Sequence, residues 1–251
     1  PTGVETAGAM AELFRMDFAK DYPNLPVGLA KIILVDGGAA VLRPFKPELQ
    51  AYAKQALERR GVDVHLGEHV THVGAESVTL ESGTVIPSRT VIWAGGLRAN
   101  PLASLLETEL VRGGRVPVTA DLSLEAHSEV FVVGDVAAAT DGHSKHVLPQ
   151  LGAVALQAGR HAGQNILHRM AGEASVPFHY HDKGFMATIG RGAAVAQMPF
   201  GLTLKGSTAW LAWGAVHLAL LTGWENRIAA TVDWFWTVFQ REHGNRIHID
   251  E

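Results

Sequence analysis

Three aliphatic runs in this chain finish in the same manner. KIILVDGG at 31–38, TVIWAGG at 90–96 and VFVVGD at 130–135 each pass through consecutive apolar residues and close on glycine, an acid or both. A strand with one wet face alternates polar and apolar residues, whereas an unbroken aliphatic strand is covered on both faces, as in a parallel sheet flanked by helices. In open sheets of that kind ligands settle at the carboxyl ends of the strands, where side chains must be small to admit them. The chain is therefore read as α/β, with buried strands over 31–38, 90–93 and 129–133, and with Asp36, Ala94, Gly95, Gly96, Gly134 and Asp135 at a shared ligand edge.

The intervening segments fit that plan. Val4, Ala7, Ala11, Phe14 and Phe18 recur at helical spacing, so a helix is expected from Gly3 to about Lys20, stopped by Asp21-Tyr22-Pro23-Asn24-Leu25-Pro26. Further helices are expected over 48–60 and 149–170, the second with small residues Gly159 and Ala162 against a neighbour. Residues 62–66 read as a strand, 70–87 as a small antiparallel meander turning at Ser82-Gly83, and 176–198 as a pair of strands. A length of 251 residues suits two domains. The formal net charge of -4 excludes a general affinity for polyanions, so nucleic acid is not expected as a partner. The absence of cysteine excludes a disulfide framework, a thiolate zinc site and a cysteine nucleophile, and it suits a reducing compartment.

PTGVETAGAMAEL opens the chain without a methionine, and Gly3 sits where a phosphate loop would turn into a helix, as the last glycine of a dinucleotide fingerprint. A glycine in that place also serves plain packing. Asp36, at the end of the next strand, can accept hydrogen bonds from the ribose hydroxyls of an adenosine, and its carboxylate repels a 2′-phosphate, which favours NADH over NADPH. His143, His146, His179 and His181 tempt a metal assignment, but His179 and His181 on one strand face are only two ligands, so no metal is expected.

Taken in order, these motifs resemble the two-dinucleotide flavoprotein reductases and, within them, the type II NADH dehydrogenases. The resemblance rests on PTGVETAGAMAEL, ILVDGG, RTVIWAGGLRANPL, VFVVGDVAAA, LGAVALQAGR, YHDKGFMATIGRGAAVAQ and a tryptophan-rich tail. It implies a Rossmann-like FAD/NAD(P)-binding fold that is partial here, with an NADH-binding domain over 1–97 lacking its first strand. The return segment of an FAD-binding domain follows over 98–172, then a strand pair with membrane-associating helices over 173–251. It further implies an amino-terminally truncated fragment, with the FAD fingerprint in a preceding half, and weak or absent FAD binding by the fragment alone.

The activity so implied is the passage of a hydride from NADH to FAD and of two electrons on to a membrane quinone, without proton pumping. Gly3 and Asp36 fall to NADH, Ala94, Gly95 and Gly96 to the turn that leaves the nicotinamide domain, and Gly134 and Asp135 to the ribityl or phosphate region of the flavin. An acid in such a turn can instead cap a loop. Glu5 falls near the nicotinamide, where a carboxylate orients NADH and quinone; the alternative is a first-turn acid satisfying the helix dipole, for up to about 1 kcal/mol. Gln157 matches the family's Ala-Gln-x-Ala-x-Gln motif at the flavin and quinone pocket, although Gly152 and Ala153 replace its first Ala-Gln. Lys183 is placed near the flavin, where an ammonium favours the anionic reduced ring or pairs with a carboxylate; otherwise it is a solvated surface lysine. Two rival readings stand beside this one: another FAD-dependent pyridine nucleotide reductase, ferredoxin- or sulfide-linked, and an inactive membrane-associated fragment.

The tail from Thr208 to Glu242 is the most apolar stretch. Residues 209–224 fall short of the about 20 needed for a span, contain His217, and are followed by Glu225-Asn226-Arg227. Two amphipathic helices lying in a membrane interface are expected, with Trp210, Trp213, Trp224, Trp234 and Trp236 at the headgroup boundary. Ile228, Val232, Phe235 and Phe239 would share one face of the second helix. The alternative is a core helix pair, which would require a partner for each buried indole N–H. The resemblance implies monotopic attachment at the cytoplasmic face, with quinone entering from the lipid, and admits a homodimer.

Overall fold

Helix α1 (Thr2–Glu12) buries Val4, Ala7, Gly8 and Ala11, one stripe at helical spacing, and carries Glu5 in its first turn, where an acid complements the unpaired N–H groups. The structure, a computed structural model, describes residues 1–18, 22–24, 26–142 and 146–240, the side chains of 16–17 and 237–240 excepted. The predicted helix end at Lys20, the stop residues Asp21 and Leu25, and His143 and the Phe239 side chain lie outside the described residues. Beyond Glu12 the chain passes into a π-helical turn over Leu13–Phe18, in which Phe14 meets Phe18 edge to face.

The chain divides into two units, Pro1–Ala94 with the chain from Gly184 onward, and Gly95–Lys183. In the first, β1 (Ile32–Asp36) pairs in parallel with β2 (Val62–Leu66), Ile32 opposite Val62 and Asp36 opposite Leu66. Parallel neighbours need a crossover, and α2 (Pro47–Glu58) lies within it, started by a proline whose fixed φ suits a first helical turn. Then follows the expected meander, β3 (Val70–Val73), β4 (Ser77–Leu80) and β5 (Val85–Pro87), antiparallel throughout. After Gly184 come β8 (Phe185–Gly190), β9 (Ala193–Gln197) and β10 (Thr203–Gly206), an antiparallel sheet with β9 in the middle. Val4, Leu42, Phe45, Leu49, Leu57, Ile189 and Val195 join these elements in one core. Each such large side chain contributes about 1.5–3 kcal/mol by leaving water.

The second unit holds a short parallel pair, β6 (Val116–Pro117) with β7 (Ala137–Ala138), and helix α3 (Gly152–Met170). Helix α3 buries Val154, Ala158, Ala162 and Asn165 and ends with His168 and Arg169 near its unpaired carbonyls.

Several expectations are corrected. The 90–93 run is not a strand: it is extended without a ladder partner among the described residues, and Trp93 is 71% exposed. The 129–133 run makes only an isolated bridge, Phe131 with Ser123, and β1 is half-buried rather than covered on both faces. An aliphatic run records a demand for cover, whereas a strand also needs an adjacent edge to hydrogen-bond, and that edge is not encoded in the run. The strand pair predicted over 176–198 is a three-stranded sheet beginning at Phe185, and 173–183 has no regular structure, so His179 and His181 do not share a strand face.

The tail forms two helices, α4 (Ser207–Leu220) and α5 (Trp224–Gln240), but they divide the tryptophans differently from the expectation. Trp210 packs on Ala194, Ala196 and Ala209, and Trp213 stacks on Trp234 at 5.7 Å between ring centroids and 8° between planes. Of these five tryptophans only Trp224 and Trp236 are exposed. Helix α4 is apolar on every side rather than amphipathic, because one of its faces lies on β9. Helix α5 exposes Ile228, Val232, Phe235 and Trp236.

Candidate functional site

In the first unit the start of α1 meets the end of β1. A Cβ on Gly3 would lie 3.3 Å from the Leu34 Cδ1 and 3.5 Å from the Ala94 Cβ, so these three residues converge on one spot. Two residues past Leu34, the Asp36 Oδ1 accepts a hydrogen bond from the Gly38 N–H at 2.7 Å. The turn is anchored to the next strand end by Gly67 N–H to Gly38 O and Glu68 N–H to Asp36 O. The His69 ring lies against Gly37, and the Arg43 side chain against Gly38. Glu5, by contrast, turns its carboxylate to β8 and accepts from the Thr188 N–H at 3.1 Å, so the helix-start acid also ties α1 to the sheet.

The second unit assembles Gly134, Asp135 and Gln157. Gly134 has φ +75°, a left-handed conformation that an L side chain resists, and it opens the short 3-10 turn Gly134–Val136. The nearest side-chain atom to its missing Cβ is the Ala155 Cβ at 3.9 Å, which leaves bare backbone beside the first turn of α3. Gln150 donates to the Asp135 carbonyl at 2.9 Å, while the Asp135 side chain is exposed. Behind this turn Arg115 donates from Nε to the Ala137 carbonyl and from Nη1 to the Leu148 carbonyl, both at 3.0 Å. Burial pulls the Arg115 guanidinium below its ordinary value and the Asp135 charge opposes that. Arg115 thus clasps the two segments that carry Asp135 and lead into α3.

Gln157 is engaged at both ends. Its Nε2 donates to the His181 carbonyl at 3.1 Å, and its Oε1 accepts from the His181 N–H at 3.0 Å. This amide clasp mimics a strand pair and pins the irregular segment that leads to Lys183, itself exposed. Replacing Gln157 by Glu removes the donor and opposes a carboxylate to the His181 carbonyl. The expected result is a loss of about 1–3 kcal/mol in urea unfolding, with faster hydrogen exchange at the His181 amide; unchanged exchange there would contradict the clasp.

Sequence reading overlooked Arg43, Arg115 and Gln150. Arg43 had a signal, a cation shortly after an acid at a strand end. Arg115 had none, since its acceptors are two distant carbonyls. Among the described residues no group of three or more His, Asp or Glu side chains is placed to hold a metal ion.

The residues present fit two nucleotides. Gly3 lets the α1 start pack closely on Leu34 and Ala94, Asp36 stands at a strand end with one oxygen already fixed, and Gly134 leaves backbone open beside a helix amino terminus, which favours anionic groups.

The family model for pyridine nucleotide-disulphide oxidoreductases matches residues 1–159, and that for the NDH2 C-terminal domain matches 182–242. A type II NADH:quinone oxidoreductase of Mycobacterium tuberculosis is 37% identical over 97% of this chain and 53% of its own, and a second from that organism is 35% identical over 100% and 55%. The chain thus spans about half the length of the curated relatives it matches. The solved structure of NDH2 from Plasmodium falciparum in complex with NADH shares the fold, with a TM-score of 0.83 over 96% of this chain and 64% of that one, at 16% identity. The sulfide:quinone oxidoreductase of Aquifex aeolicus shares it less closely, at a TM-score of 0.63 and 12% identity over 94% of this chain and 59% of that one. With well over half of its residues under one family model and the NDH2 C-terminal domain following, the chain belongs to the pyridine nucleotide-disulphide oxidoreductase family, in its type II NADH dehydrogenase branch.

Proposed function

We propose that the protein to which this chain belongs is an FAD-dependent NADH:quinone oxidoreductase that works at a membrane surface without moving protons across it. The observation that carries the reading is the NDH2 C-terminal domain over 182–242 directly after the pyridine nucleotide family match. FAD, when bound, supplies the chemistry that takes a hydride from NADH and hands two electrons to quinone. This chain's residues bind and orient. Gly3, Asp36 and Ala94, in the segment 1–97, would hold NADH, with Asp36 on the adenosine ribose. Gly95 and Gly96 form the turn that leaves that segment, and Gly134 and Asp135, in the segment 98–172, would hold FAD with the start of α3. Arg115 and Gln150 fix the Asp135 turn, Gln157 positions the segment bearing Lys183, and Glu5 holds α1 at the end nearest the nicotinamide.

Among the described residues no helix is long and apolar enough to cross a membrane. Exposed Trp224, Ile228, Val232, Phe235 and Trp236 on α5 support attachment to a lipid surface, with quinone arriving from the lipid; the cytoplasmic side is what the family resemblance implies. The test is steady-state oxidation of NADH and NADPH by the full-length protein with a panel of quinones on liposomes. Preference for NADPH, or failure with every quinone, would reject the reading. The double change Ile228→Glu and Phe235→Glu should lower the liposome-bound fraction at least about tenfold, since each removes an exposed apolar side chain whose burial in lipid is worth about 1.5 kcal/mol or more. Sedimentation with vesicles measures it, and undiminished binding would move the contact away from α5.

A further inference from the structure

The turn after β1 presents two opposite charges to the same small volume. The Asp36 Oδ1 and the Arg43 Nε lie 3.0 and 3.3 Å from one point, the position a Cβ would take on Gly38. Asp36 binds the Gly38 N–H, which holds the carboxylate on this side of the turn. Arg43 reaches it from the following loop, and that loop is itself fixed, because Gln50 on α2 donates to the carbonyls of Arg43 and Phe45 at 3.2 and 2.6 Å. Among the described residues no ion pair engages the Arg43 guanidinium. The His69 ring lies against Gly37 in the same turn. A strand-end carboxylate recognises the vicinal hydroxyls of a ribose, whereas a guanidinium at that place recognises a 2′-phosphate through charge-assisted hydrogen bonds. This chain carries both.

We propose that Arg43 is a specificity-determining residue at the adenosine end of the nucleotide site: it supplies a preformed 2′-phosphate contact, and the Asp36 carboxylate is the barrier that keeps 2′-phosphorylated nucleotide out. The inference rests on the reading of the first unit as the NADH-binding one. It follows that neutralising Asp36 converts the preference and needs no added cation. Replacing Arg43 in that background takes the conversion away.

Isothermal titration of the full-length protein with ADP-ribose and with 2′-phospho-ADP-ribose tests this without catalysis. The readout is the ratio of the two affinities in the native protein, Asp36→Asn, and Asp36→Asn with Arg43→Ala. The ratio should shift toward the phosphorylated ligand at least about tenfold in the single variant and return by about tenfold in the double one. A double variant that keeps the shifted ratio overturns the role of Arg43, while a single variant with an unshifted ratio overturns the role of Asp36 as barrier. Should the native protein bind neither ligand while its circular dichroism shows it folded, the NADH-site reading itself falls, and the inference with it. Because Arg43 is exposed, its replacement leaves the core untouched.

Discussion

Gly8→Ala should destabilise the first unit by about 3 kcal/mol or more, read as a lowered urea midpoint at unchanged slope. Helix propensity alone gives the opposite sign, since alanine is favoured over glycine in a helix interior by about 1 kcal/mol. Packing decides the outcome. A Cβ on Gly8 would stand 2.0 Å from the Ile189 carbonyl oxygen and 2.7 Å from its carbon, both backbone atoms of β8, so no side chain can turn aside to relieve the overlap. Either α1 lifts from the sheet or β8 shifts, and Ile189 is completely buried. Lifting α1 also strains the Glu5 to Thr188 hydrogen bond and displaces Gly3 from Leu34 and Ala94. The matching control is Gly159→Ala on α3, where nothing lies within 4 Å of the added carbon. There propensity is unopposed, and a gain of about 0.5–1 kcal/mol is expected. Equal effects at the two positions would mean that α1 does not sit on β8.

That contrast also measures what could be read from residues alone. Apolar spacing located α2, α3, β2, the meander and the start of α1 within a few residues, because each of those periodicities is local, but not the change at Leu13 from α-helix to a π-helical turn. It could not locate ladder partners, and so 90–93 and 129–133 carried a strand's composition without a strand's hydrogen bonds. Nor could it foresee the segment after α3. Residues 173–183 have no regular structure, yet they are held by amide side chains spaced eight apart on the helix, Gln157 on His181 and Asn165 on Val176. Asn165 is wholly buried, and backbone groups satisfy it, the Val176 N–H and carbonyl together with the Asp121 carbonyl. The candidate site divides along the same line. Gly3, Asp36, Gly134 and Asp135 were legible because strand and helix ends with small residues or an acid form a local pattern. Arg115 and the Gln157 clasp were not, since they bind carbonyl and amide groups whose positions only the fold determines.

Arg169→Met should cost the second unit about 1–3 kcal/mol, the usual consequence of removing one member of a partly buried, charge-assisted hydrogen-bonded pair. The Arg169 Nη2 meets the Asp121 Oδ2 at 2.6 Å, its Nε donates to the Ser175 hydroxyl at 2.7 Å, and its guanidinium carbon lies 4.7 Å from the centre of the Phe131 ring. It also donates to the Ser128 carbonyl, so one side chain joins the end of α3 to three separate loop segments. Methionine keeps much of the volume but leaves Asp121 without its cation. Acidity supplies an independent readout. Burial alone would raise the Asp121 carboxyl, but hydrogen bonds from the Thr119, Ser123 and Ser175 hydroxyls and the Ser123 N–H outweigh it and hold the group well below the usual carboxylate range. A carboxylate whose folded pKa is depressed contributes its stability above the unfolded value of about 3.9, and loses it as pH falls through and below that value. Thermal stability of the native protein should therefore decline from about pH 5 downward, whereas Asp121→Asn, less stable at neutral pH, should show a shallower decline over the same interval. The variant and the native protein should converge in acid, because a protonated Asp121 carboxyl and the amide that replaces it present the site with similar neutral groups. Parallel pH profiles that never converge would show that Asp121 is not the group being titrated, and would leave the acid sensitivity of this unit to carboxylates elsewhere.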